Sequence, residues 1–139
     1  MLLIGKFHPL LVHFPIALVL AAAGAEIVAI RTRRAGWRAI AVANLRMGAA
    51  MGVLTLIAGW VLATAPFVEA TTSLESHRWT GVGAVATTIG AALASRQSDV
   101  KSGRSLLVYR GALFGAATLV TIAGHLGAAL VWGADFMKP

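Results

Sequence analysis

The chain contains no cysteine. That excludes disulfides, iron–sulfur clusters and thiolate metal centres, and with them covalent c-type haem attachment, which needs C-x-x-C-H. Charge is nearly as scarce: Asp, Glu, Lys and Arg make up 12% of 139 residues, against about 25% in soluble domains. Acidic residues are the rarest, with five Asp plus Glu in all. No nucleophilic triad, phosphate loop or paired-carboxylate site is visible, so hydrolytic and phosphoryl-transfer chemistry has few groups to work with.

Apolar residues fill the space. They form 58% of the chain, with a mean hydropathy of +0.81. The excess is concentrated in long uncharged runs, the distribution of a bilayer-spanning chain rather than of a soluble one. A net charge of +7 would suggest nucleic acid in a soluble protein. Here the basic residues lie in short segments between apolar runs, which is how membrane orientation signals are distributed. No nucleic-acid partner is therefore expected, and the lipid bilayer is.

Four spans are expected in one domain over 1–139, at about 9–30, 39–65, 74–93 and 106–132. The N-terminus does not suit a signal peptide. It offers only Lys6 as an n-region charge, its apolar run is too long, and arginines follow where a cleavage site would lie. Pro9 suits a first helical turn. Pro15 falls inside the helix and should kink it, freeing the carbonyl of Leu11. The third span is preceded by Thr72 with Glu75 three residues on, a capping-box pattern. Short linkers make consecutive helices antiparallel neighbours. The fold class is thus an all-α integral membrane protein, an antiparallel four-helix bundle.

Basic residues set its orientation. Arg31, Arg33, Arg34 and Arg38 fill the first connection, and Arg96, Lys101 and Arg104 the third. The second holds Glu69 and Glu75, with Arg78 just beyond. The positive-inside rule places the arginine-rich connections in the cytoplasm of a bacterial inner membrane, with both termini outside. Small residues supply close helix approach: Gly48/Gly52 and Gly111/Gly115 form GxxxG pairs, and Ala84/Thr88 is a further small pair. Some of these could equally form a homodimer face.

The functional expectation rests on His8, His13, His77 and His125, all towards the outer side. At about 1.5 Å rise per residue, His13 and His125 lie roughly 9–10 Å below the interface marked by Phe7 and Trp132, and His8 and His77 close to it. Depth pairs His13 with His125, deep, and His8 with His77, shallow. An imidazole in the hydrocarbon zone is costly and points to a functional site, the bland alternative being an interhelical hydrogen bond. An interfacial histidine can be merely amphipathic.

Paired histidines on neighbouring helices can ligate haem iron, bind zinc, copper or non-haem iron with help from Glu69 or Glu75, or relay protons. Small residues beside the deep pair, Ala17, Ala21, Gly24, Gly124 and Gly127, leave room for a flat macrocycle or for tight packing. Arg78 and Lys6 are placed to meet haem propionates or lipid phosphates. Glu26 reads as a structural ion pair with Arg46 and Arg110, and Asn44 as interhelical glue. Trp60, Trp79 and Trp132 read as outer belt anchors and Trp37 as a cytoplasmic one.

The string His8-Pro9-Leu10-Leu11-Val12-His13-Phe14-Pro15-Ile16, with Gly124-His125-Leu126-Gly127 near the end, resembles the hallmark of a bacterial membrane family known as domain of unknown function 2231. The resemblance covers nearly the whole chain. It implies a four-helix protein and, because some members accompany cytochrome c-type domains, a redox setting. It carries over His8, His13 and His125, whereas His77 matches only by position.

The expectation is therefore a b-type haem protein moving electrons to or from a c-type cytochrome or quinol, an electron carrier more than a stand-alone enzyme. His13 and His125 would ligate one haem, and His8 and His77 a second. A non-haem metal site (zinc, copper or iron) and a metal-free accessory subunit are the alternatives.

Overall fold

The computed structural model describes residues 2–96, 103–133 and 135–136. Lys101, one of the orientation residues, lies outside them. Every regular element among the described residues is helical: α1 Leu2–Lys6, α2 His8–Leu11, α3 His13–Thr32, α4 Ala35–Ala63, α5 Thr72–Ala94 and α6 Gly103–Trp132. Three stretches are long and apolar enough to cross a membrane: His8–Thr32, Ala35–Ala63 and Gly103–Trp132. α5 is less apolar because Glu75, His77 and Arg78 occupy its first turns and threonine and glycine its middle.

The proline effect takes a definite form. The helix resets at Val12, between α2 and α3, with the backbone still right-handed. Pro15 has no N–H to give the Leu11 carbonyl, and the Thr55 hydroxyl of α4 donates to it instead at 3.2 Å. A buried carbonyl left unpaired would cost about 1–3 kcal/mol, so this one bond decides where α4 meets the kink.

The capping expectation is off by one residue. Thr71, not Thr72, is the N-cap of α5, and its hydroxyl accepts from Leu74 N–H at 3.2 Å. That puts Leu74 at the third helical position, so no reciprocal glutamate bond forms and Glu75 contributes only as an acidic residue in the first turn.

Each long helix packs on two others, α3 on α4 and α6, and α5 on α4 and α6. The core is built of small residues. Ala22, Leu45, Ala91, Ala92, Tyr109 and Leu113 form one cluster, and Val19, Ala84, Ala116 and Val120 another. Large apolar side chains point outward instead, with Leu10, Leu54, Leu107 and Val131 all exposed. That inversion is what lipid permits, since association there depends on close backbone approach rather than on hiding hydrocarbon from water.

Gly48 and Gly52 serve this approach. A Cβ on Gly48 would stand 3.0 Å from Val19 of α3, and one on Gly52 3.2 Å from Val85 of α5. Gly111 meets nothing within 4 Å, so the second GxxxG pair has its first member on the exterior. Asn44 is half-buried, and its side chain donates to Ile40 of its own helix at 2.9 Å rather than to a neighbouring helix.

The arginine-rich end is closed by charge. Glu26, fully buried, receives Arg110 Nε at 2.8 Å, Arg38 at 3.3 Å and the Tyr109 hydroxyl at 3.4 Å. The ion pair is expected, but one partner is not: Arg38 takes the place assigned to Arg46, which instead reaches Ser95 at 3.4 Å. Sequence distance hid Arg38 because the turn at Arg33 and Arg34 folds the start of α4 back over the end of α3.

Candidate functional site

At the opposite end His8 and His77 meet. Their ring centres are 6.3 Å apart and the planes are inclined at 74°, an edge-to-face contact. His8 opens α2 and His77 lies in the second turn of α5, so the pair joins the two halves of the chain.

Both rings are held in the same way. His8 Nδ1 lies 3.0 Å from the Thr55 carbonyl, and His77 Nδ1 lies 3.0 Å from the Ala123 carbonyl. A carbonyl only accepts, so each Nδ1 carries the proton and each Nε2 of the neutral ring keeps its lone pair. One turn beyond each carbonyl is a glycine that makes room for the ring. A Cβ on Gly59 would stand 2.7 Å from His8 Cε1, and one on Gly127 3.0 Å from His77 Cε1.

The arrangement is repeated. His8 bonds a carbonyl 47 residues ahead and His77 one 46 residues ahead, each followed four residues later by the glycine notch. A shift of 68–69 residues, the separation of His8 from His77 and of Thr55 from Ala123, relates the buried positions of the two hairpins. Val19, Ala22 and Ala23 of α3 correspond to Thr88, Ala91 and Ala92 of α5, and Ala41, Leu45, Gly48 and Gly52 of α4 to Tyr109, Leu113, Ala116 and Val120 of α6. The two histidines thus come from equivalent places in two similar α-hairpins and face each other where the hairpins join.

Aromatic residues lie alongside. Trp60 and Trp79 make an edge contact with ring centres 6.3 Å apart, and Arg78 lies 3.9 Å above the Trp60 ring. Arg78, expected to meet propionates or lipid phosphates, is engaged in this cation–π contact, and its Nε is buried without a hydrogen-bond partner. Lys6 closes α1 and is exposed.

His13 and His125 are placed differently from the expected buried pair. Both are exposed on the outside of the helix assembly, and the His125 ring lies 5.7 Å from that of Phe136. Among the described residues they share no hydrogen bond or ring contact. Rise along a helix sets depth but not facing: at about 3.6 residues per turn, His8 and His13 fall on different faces, His8 part-buried and His13 exposed. Among the described residues no group of three or more His, Asp or Glu converges, so Glu69 and Glu75 do not join the histidines.

Gly59, Thr55 and the Ala123 carbonyl escaped the sequence reading. The signal that could have found them is the doubled spacing from each histidine to a glycine one turn past its carbonyl partner.

A family model described as predicted membrane protein (DUF2231) matches residues 6–136. No curated protein and no solved structure matches the chain.

Proposed function

The chain belongs to that family of membrane proteins, and from this premise we propose that it is a four-span membrane protein binding a b-type haem between His8 and His77 for electron transfer. The observation that carries the proposal is the pair of imidazoles, each fixed through Nδ1 on a main-chain carbonyl with Nε2 left as a ligand. Anchoring of the second ring nitrogen is the usual support of a metal-ligating histidine. The two ring centres lie 6.3 Å apart, and these two residues would hold the group.

Haem is favoured over a bare ion by ligand number. Zinc and non-haem iron sites call for three or more protein ligands, and among the described residues no third His, Asp or Glu joins this pair. Haem brings its own ring nitrogens and would need only two ligands from the protein, which His8 and His77 would supply. Bound there, it would supply one-electron redox chemistry. The protein's part would be to hold the two imidazoles, with Arg78, next in sequence to His77, supplying nearby positive charge.

In the topology that goes with this reading α5 is the fourth span. Its 23 residues rise about 34 Å, enough for a hydrocarbon core of about 30 Å, and it completes the ring of helices. The residues meeting across each neighbouring pair run in opposite numerical order, as in an antiparallel bundle. By the positive-inside rule, the arginines at one end support a topology in which the histidine pair and both termini would lie on the periplasmic side of a bacterial inner membrane. A c-type cytochrome or a quinol would be the redox partner, and Gly111 on the exterior is available to a homodimer.

The test is a reduced-minus-oxidised visible spectrum of protein expressed with ample haem, with metal analysis. Soret and α bands are expected, lost to the same extent in His8→Ala and His77→Ala and retained in His13→Ala and His125→Ala. Equal loss follows from the equivalence of the two hairpins. Copper, zinc or iron without a Soret band would replace haem with an ion site. No bound metal at all would leave an accessory subunit in which the histidines only hydrogen-bond.

A further inference from the structure

The arginine-rich end holds a second site. Ala29, Ile30, Arg33, Arg34, Ala35, Arg38 and Arg110 line a cavity of about 380 Å³ between the end of α3, the start of α4 and α6. Four of these side chains are guanidinium groups, and the adjoining carboxylate, Glu26, answers Arg38 and Arg110. Arg33 and Arg34 gain no share of it, so the wall carries a strong positive excess.

The backbone adds to that field. α4 begins at Ala35, its N-cap Arg34 makes no side-chain capping bond, and its first turn holds no acidic residue. The N-terminus of a 29-residue helix, with the positive end of its dipole, therefore borders the same cavity at Arg34 and Ala35. Arg33 is the one described non-glycine residue with positive φ, 56°, closing α3 in a left-handed turn where glycine or asparagine is usual. That conformation costs free energy at an arginine, and strain of this kind marks positions held for a purpose. Arg38 Nε is buried without a partner.

We propose that this cavity binds the phosphate headgroup of an anionic phospholipid. Charge selects a phosphate, which arginine can meet with two parallel N–H groups while the helix N-terminus offers more. The walls select a lipid over a free ion, because Ile30 in the wall and Trp37 in the first turn of α4 are apolar and exposed, where acyl chains would lie. In the topology proposed above this end lies in the cytoplasmic leaflet, where basic pockets between spans take acidic headgroups. The site itself is independent of the haem reading.

The full-length protein in mild detergent is offered an equimolar mixture of phosphatidylglycerol and phosphatidylcholine with the same acyl chains, and native mass spectrometry counts the bound lipid. Phosphatidylglycerol should be retained preferentially. The Arg33→Gln/Arg34→Gln double variant should lose it by roughly thirty-fold, as expected for two arginine–lipid contacts. Arg31→Gln/Arg96→Gln removes the same charge from the same end without touching the cavity and should keep it. Equal retention of both lipids, or equal loss in the two double variants, would overturn the proposal. Binding of inorganic phosphate alone with the same arginine dependence, and displacement of the lipid by it, would also overturn the lipid assignment. A matched thermal midpoint for both variants separates loss of binding from loss of fold.

Discussion

The proposed ligation needs each ring held with one nitrogen free, and at His8 and His77 the hold depends on glycines that leave room for the rings. Gly59 and Gly127 are required by close approach, since any side chain there would occupy the place of the ring. Gly59→Ala is expected to push His8 off the Thr55 carbonyl, and Gly127→Ala to do the same to His77 at Ala123. Overpacking of this kind costs about 1–3 kcal/mol, so unfolding in detergent should move by that amount. The visible spectrum should weaken further than stability does. A spectrum of full intensity in either variant would show that the imidazoles bind nothing through the geometry described.

At the scale of the element, α5 is the least apolar of the four long helices. It is long enough to cross a bilayer but mixes histidine, arginine, threonine and glycine into its length, with His77 at one end and small packing residues in its middle. Its partner α3 is more apolar and carries the kink that α5 lacks. The absence of native cysteine makes topology directly measurable. In intact cells Glu69→Cys, ahead of α5, should react with an impermeant maleimide. Gly36→Cys, at the start of α4 where a side chain meets nothing, should react only after permeabilisation. Equal labelling of the two would rule out α4 as a span with its basic end inside.

Across the whole molecule, two polar centres sit at opposite ends of a core built from alanine, glycine, valine and leucine. Glu26 ties α3, α4 and α6 together through Arg38, Arg110 and Tyr109, leaving each arginine about a quarter exposed. Glu26→Gln would strand two guanidinium groups, a loss of about 3 kcal/mol, at the low end for buried pairs because both arginines still reach water. Thermal unfolding in detergent should record it. The spectrum should persist in the folded fraction, because the histidine pair lies at the other end. Simultaneous loss of haem from folded protein would mean that the two ends are coupled.

Membrane residence followed from composition alone, because a chain with long uncharged runs has no stable place in water. The spacing of Pro15 from Leu11 likewise announced a freed carbonyl, and the basic clusters marked the ends of helices. Which histidines meet was not decided at that level. Rise along a helix gives depth but not facing, and only packing on α4 and α6 turned His8 and His77 towards each other and left His13 and His125 outside. The same holds for Glu26: the need for a counter-charge was legible in a lone carboxylate within an apolar run, whereas the choice of Arg38 over Arg46 came from the tight turn at Arg33. Sequence determined the solvent and the number of long helices. Tertiary structure decided the faces, because a face is a property of two helices in contact and no single segment encodes it.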